Sequence, residues 1–182
     1  MHLVTFITGN QNKADYLAKY LGFPVAHQKI HLDELQSLSL REIVEHKVKQ
    51  AYDIIKKPVL VEDVSLEFSA LGRLPGPFIK FFIEEVPFDR ICSLLDGKER
   101  GAVARCMFGY YDGKNLEFFE GSVLGSISNS PRGDGGFGWD RLFIPHWTER
   151  RTAAELSTEE YERFYTEAKP FWQIRDFLHK VL

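Results

Sequence analysis

The sequence predicts one α/β domain over residues 1–182, built on a long mixed β-sheet with flanking helices that form two lobes around a central cleft. Three observations predict it. Between residues 3 and 61, short apolar runs rich in β-branched side chains alternate with segments of helical period. Between residues 102 and 127 the pattern changes to consecutive strands around a turn signal. The 182 residues are 44% hydrophobic, with 15 Phe, 7 Tyr and 3 Trp, which is enough bulky apolar surface for a core and excludes a disordered chain.

Residues 3–8 read as a buried strand stopped by Gly9. Residues 13–21 read as a helix, with Leu17, Ala18, Tyr20 and Leu21 apolar and Gly22 past its end. Residues 25–30 are a second short strand. Ser39 with Glu42 has the capping-box pattern, opening a helix whose Ile43, Val44, Val48, Ala51 and Ile55 keep roughly 3.6 spacing. Pro58 ends it, and 59–61 is a short buried strand. Helices are expected at 78–86, after Pro75-Gly76-Pro77, and at 88–95. Residues 102–111 and 116–121 form a hairpin around Asp112-Gly113, a pair that favours a type I′ turn, and 122–127 is a third adjoining strand. Residues 128–138 are a glycine-rich loop, and 142–144 a short strand. Ser157 with Glu160 repeats the capping box, and Pro170 suits the first turn of a last helix ending near Leu182.

Charge and composition exclude several functions. Twenty-three basic against 26 acidic side chains give −3, against the basic excess usual for nucleic-acid binding. A small anionic ligand remains possible, because a few lysines in one cleft suffice. No apolar run approaches the roughly 18 residues a membrane span needs. The apolar start is too short for a signal peptide and lacks a basic leader, so a cytoplasmic protein is expected. Cys92 and Cys106 cannot make a disulfide framework or a multi-thiolate zinc site, and read as small buried hydrophobes.

Four stretches stand out chemically. Thr8-Gly9-Asn10-Gln11-Asn12-Lys13 lies where a strand meets a helix. Backbone N–H groups there attract phosphate, Gly9 permits close approach, Thr8 and Asn10 add hydrogen bonds, and Lys13 adds charge. The stretch lacks the ending of a P-loop, and an ordinary strand-to-helix turn would read the same. Glu62-Asp63 follows the strand 59–61, at the end of the sheet where α/β proteins bind ligands. Hard carboxylate oxygens suit Mg²⁺, which also takes phosphate partners; a solvated strand end is the alternative. Glu34 could add an oxygen, though alone it reads as a loop carboxylate. Lys80 sits in the apolar run after Pro75-Gly76-Pro77, either snorkelling to water or meeting a phosphate. In Gly133-Asp134-Gly135-Gly136-Phe137-Gly138-Trp139-Asp140, Phe137 and Trp139 either join the core or meet a nucleobase. Base–aromatic stacking gives roughly 1–3 kcal/mol per base, and Asp140 could accept from the base edge. His27 and His31 show no convincing ligand spacing, and Arg150-Arg151 reads as a solvated pair.

The order of these motifs carries more than each alone. Thr8-Gly9-Asn10 with Lys13, then Val61-Glu62-Asp63, then Leu74 to Phe82, then Gly136-Phe137-Gly138-Trp139-Asp140-Arg141-Leu142-Phe143-Ile144-Pro145 strongly resembles the inosine/xanthosine triphosphate pyrophosphatase family. The likeness runs from Leu3 to about Pro145. It implies a nucleotide-binding central cleft and a homodimer, with no nucleic-acid or membrane partner. It also implies Mg²⁺-dependent hydrolysis of a (deoxy)nucleoside triphosphate to the monophosphate and pyrophosphate, which clears non-standard nucleotides before polymerases use them. Carried over residue by residue, Thr8, Gly9, Asn10 and Lys13 would cradle the phosphates, with Lys47 and Lys80 as further phosphate lysines. Glu34 and Asp63 match metal ligands, and Asp63 also matches the general base. Glu62 is its acidic neighbour, and Phe137, Gly138, Trp139 and Asp140 match the base-binding stretch.

Two departures matter. The family has Ser or Thr after the aspartate, where this chain has Val64, with Ser65 one place later. The family's late Lys-Asn and Ser-His-Arg fall on Tyr161-Glu162 and Tyr165-Thr166-Glu167, so the donors that grip the six-position oxygen of the base are absent. The leading expectation is a pyrophosphatase with altered base specificity. One rival keeps ordinary inosine and xanthosine specificity, with Arg150, Arg151 or Arg163 replacing the lost groups. Another is a non-catalytic nucleotide-binding protein on the same fold.

Overall fold

The computed structural model describes residues 4–22 and 25–181. The chain forms two compact units. One runs to Asp63 and adds Cys106–Glu120 and the chain from Lys169; the other comprises Val64–Arg105 and Gly121–Ala168.

In the first unit, β1 (Thr5–Ile7) lies between β2 (Ala26–Gln28) and β3 (Val59–Phe68), parallel to both, with Thr5 opposite Ala26 and Val59. Helices α1 (Gln11–Leu21) and α2 (Leu40–Ile55) make the crossovers, as the alternating pattern predicts. Leu3 of the first expected strand and Leu182 of the last expected helix lie outside the described residues. Ser39 caps α2, its hydroxyl accepting from the Glu42 N–H. The reciprocal half of the expected box is replaced: the Glu42 carboxylate and the Ser39 N–H both turn to the Ser37 hydroxyl. Helix α2 buries Val44, Val48 and Ala51 against Ile7, Val59, Val61 and Met107. Gly109 lets it come close, since a Cβ there would lie 2.5 Å from Val44 Cγ1.

The second unit gathers the later part of β3 and its antiparallel partner β4 (Pro75–Gly76), where Leu66 faces Gly76. Helices α3 (Ile79–Glu85) and α4 (Phe88–Ser93) follow. Strands β5 (Gly101–Tyr111) and β6 (Leu116–Ile127) form the expected hairpin, and β7 (Phe143–Pro145) runs antiparallel to β6. Leu66, Phe68, Ile91, Val123, Phe143 and Phe164 of this unit share one core. Helix α5 (Thr158–Ala168) opens on the predicted capping box, here complete: the Glu160 N–H donates to Ser157 Oγ and the Ser157 N–H to Glu160 Oε2. Helix α6 (Phe171–Val181) returns to the first unit, where Phe171 stacks on Tyr20. The sheet order is β2-β1-β3-β5-β6-β7, with β4 on β3, a mixed sheet as predicted.

Three expectations are corrected. The strand expected to end at Val61 continues to Phe68, so Glu62 and Asp63 lie inside a strand of 10 residues. Alternation resumes beyond them with Leu66 and Phe68 buried, and their polar character reflects the short neighbour β1 ending at Ile7. Residues 122–127 are no separate strand but the end of β6, whose Phe119, Val123 and Ile127 are buried on one face across Gly121. The hairpin turn is not the two-residue type, because the Asp112 carboxylate accepts from the N–H groups of Lys114 and Asn115 and closes a longer turn. Among the described residues, no helix is long and apolar enough to cross a membrane.

Candidate active site

The first unit builds a phosphate-type helix entrance. Asn10 caps α1, its side chain accepting from the Lys13 N–H at 3.4 Å. The Thr8 hydroxyl accepts from the Asn10 N–H at 3.1 Å, and the Thr8 N–H is held by the Gln28 carbonyl of β2. The first turn holds no acidic residue, so nothing in it opposes an anion at the positive end of the helix dipole.

Asp63 and Glu34 converge on one cation. The Lys47 ammonium lies 2.9 Å from Asp63 Oδ2 and 3.3 Å from Glu34 Oε1. Burial pulls the Lys47 pKa down, yet Asp63 and then Glu34 raise it above the ordinary lysine value. Glu34 stands on a loop, and a side-chain clip places it. The Gln50 amide accepts from the Asp33 N–H and donates to the Asp33 carboxylate, each at 2.8 Å, tying the loop to the helix that carries Lys47. Sequence reading missed this clip. Two carboxylates facing one positive charge fit Mg²⁺, which takes one or two protein carboxylates and completes its shell with water and phosphate. No group of three His, Cys, Asp or Glu that could cage a metal occurs among the described residues.

Glu62 is placed differently from its neighbour. Its side chain is only 4% exposed. Its Oε1 accepts from the Lys169 ammonium, lies 3.5 Å from the Lys13 ammonium and receives the Cys106 thiol at 3.6 Å. Burial alone would raise its carboxyl, but Lys169 and then Lys13 outweigh this and hold it at about 2. Burial pushes the Cys106 thiol up, so this cysteine is an inert proton donor. Both cysteines are buried as expected, yet Cys106 belongs to a polar cluster.

The second unit holds Lys80 and the glycine-rich loop. Lys80 is exposed on the first turn of α3, its ammonium 5.7 Å from the Phe81 ring. Phe137 is 56% exposed, whereas Trp139 packs against the core. Gly138 is exposed beside them. Asp140 is buried and fastens the loop: its Oδ2 accepts from the Phe137 N–H at 2.8 Å and the Tyr161 hydroxyl at 2.7 Å. Gly136 is required here, with φ +70° and a would-be Cβ 2.3 Å from Asp140 Oδ2. Tyr165 meets Phe137 edge-on and stacks with Tyr161.

The departures from the family pattern have structural outcomes. Ser65 is fully buried, and among the described residues its hydroxyl is the one buried side-chain polar atom without a hydrogen-bond partner. It therefore does not stand in for the hydroxyl missing at Val64. Ser65→Ala is expected to leave the melting temperature unchanged or higher, because an unpaired buried hydroxyl costs roughly 1–3 kcal/mol; a clear drop in thermal unfolding would count against that. Two of the three candidate replacement cations are engaged locally. Arg151 is exposed, as expected, and forks onto both oxygens of Glu160, while Arg163 lies 4.2 Å from the Trp147 ring. Glu167 accepts from the Trp147 indole, and the Thr166 hydroxyl donates to the Glu162 carbonyl.

Known proteins resemble this chain over nearly its whole length. The profile described as the Ham1 family matches residues 4–177. "Inosine triphosphate pyrophosphatase 1" of Trypanosoma cruzi is 43% identical over 172 residues, 92% of this chain and 88% of that protein. The inosine triphosphate pyrophosphatase of Schizosaccharomyces pombe is 38% identical over 182 residues, 96% of this chain and 94% of that protein. A HAM1 protein structure from Coxiella burnetii superposes with a TM-score of 0.86 at 21% identity, covering 99% of this chain and all of that one, which shows the fold.

Proposed function

Since the chain belongs to the Ham1 family and is a nucleoside triphosphate pyrophosphatase, we propose that it clears non-standard nucleotides with Mg²⁺ as cofactor and with a weakened reading of the base. The first unit carries the phosphate chemistry. Thr8, Gly9, Asn10 and Lys13 bind phosphate oxygens at the start of α1, and Lys47 adds charge to the same task. Asp63 and Glu34 are the residues that would hold Mg²⁺, which when bound neutralises phosphate charge and acidifies a water. Asp63 orients the attacking water and takes its proton as the new P–O bond forms and the bond to pyrophosphate breaks. Glu62, held well below the ordinary carboxylate range by Lys169 and Lys13, serves as an anchor for these lysines.

The second unit carries the base reading, and one observation bears the specificity claim. Where the family pattern has a lysine, the Tyr161 hydroxyl donates inward to Asp140. It then presents an aromatic face where the family presents a cation. Glu167, in the place of the arginine, accepts from the Trp147 indole and, when ionised, offers a keto oxygen no donor. Stacking on Phe137 tolerates any base.

The test is kcat/KM for inosine, xanthosine, guanosine and adenosine triphosphates and their deoxy forms. Preference for inosine or xanthosine is expected to stay below about 10²-fold, because a site built to hydrogen-bond one group rejects its analogue by about 10⁴-fold or more and the donors for that are gone. A larger preference would show that other donors read the keto group.

A further inference from the structure

Lys169 lies outside every motif of the site, yet it reaches the centre of the first unit. It precedes α6 and bonds Glu62, a residue 107 positions earlier in the chain, and the thiol of Cys106 at 3.3 Å. Its side chain is 8% exposed. Lys13, on the same oxygen of Glu62, is farther away at 3.5 Å and 28% exposed. One buried carboxylate is thus contacted by two ammonium groups, the deep one closer and the shallow one more distant. A buried carboxylate draws in the nearest cation, since a charge left alone in the interior is costly. With Lys169 in place, that demand is met from below.

We propose that Lys169 is a positioning residue for the triphosphate site: by satisfying Glu62 from the interior, it leaves the Lys13 ammonium for the substrate phosphates. This rests on the reading of Lys13 as a phosphate lysine. Without Lys169, the Lys13 ammonium closes onto Glu62 and is withdrawn from the triphosphate. Every triphosphate is affected equally, because the contact is blind to the base.

The experiment is steady-state kinetics on the full chain with Mg²⁺ and at least two triphosphates, for Lys13→Ala, Lys169→Met, Lys169→Arg and the double variant Glu62→Gln/Lys169→Met. Lys169→Met is expected to raise KM about tenfold or more for each triphosphate, the scale of one hydrogen bond to a charged group, with kcat changed much less. Lys169→Arg keeps the charge and restores KM. The double variant removes the carboxylate that captures Lys13, so its KM returns toward the wild-type value although Lys169 is still missing. A purely structural Lys169 would give no such return, and that result overturns the proposal. So does a wild-type KM for Lys169→Met when Lys13→Ala raises it. If Lys13→Ala itself leaves KM unchanged, the phosphate role of Lys13 is what fails. Should Lys169→Met not fold, the double variant, which buries neither charge, carries the test: a KM near wild-type supports the proposal and a KM like that of Lys13→Ala overturns it.

Discussion

Asp63→Asn is expected to remain folded and to lose about 10²–10⁴-fold in kcat, the usual contribution of a general base. The side chain offers one carboxylate to the Lys47 ammonium at 2.9 Å, and the amide keeps its shape while losing its charge and its ability to take a proton. The Mg²⁺ concentration for half-maximal activity should rise as well, because one of the two carboxylates facing the Lys47 ammonium loses its charge. Circular dichroism establishes the fold, and pyrophosphate release gives kcat across a Mg²⁺ titration. A correctly folded variant with near-wild-type kcat would take Asp63 out of the mechanism.

The second large effect is on stability. Glu62→Gln leaves the Lys169 ammonium buried beside a neutral amide, and breaking a buried pair in this way costs roughly 3–5 kcal/mol. The pH dependence follows from the direction of the Glu62 shift. Its carboxyl is held at about 2 against an ordinary 4.5, so the folded state binds that proton less readily than the unfolded chain. Glu62 therefore contributes its full stability above about pH 4.5, and the contribution is lost as pH falls toward 2. Urea midpoints across this window should fall for the wild type and fall less steeply for Glu62→Gln. Parallel curves for the two proteins would show that the pair does not contribute to acid stability.

Local signals were legible in the sequence, and distant ones were not. The strand–helix alternation of the first unit and the Ser157–Glu160 capping box depend on residues within a few positions of each other, and both stand as expected. The continuity of β3 was hidden because Glu62 and Asp63 interrupt an apolar run, which reads as a strand end until the shortness of β1 is known. Gly121 hid the continuity of β6 in the same way. In the site, Glu34, Lys47 and Asp63 come together as the family resemblance implies. Lys169 carries no local mark of its role: it meets Glu62 across 107 positions and Cys106 across 63, and a cysteine in an apolar strand reads as core. Gln50 and Asp33, 17 positions apart, were likewise invisible until the loop was seen against α2.

The Asp140 carboxylate joins the Phe137 backbone to Tyr161 of α5, while the Asp140 carbonyl accepts from the Ala154 N–H and the Ala154 carbonyl from the Gly135 N–H. The loop and the helix are thereby one cooperative unit of local opening, since neither can leave without breaking the other's bonds. Amide hydrogens at Gly135, Phe137 and Ala154 should then exchange at a common rate set by a single opening event, and Tyr161→Phe should speed all three together. For evolution of this surface, a substitution on α5 is felt along the glycine-rich loop without touching the base at all.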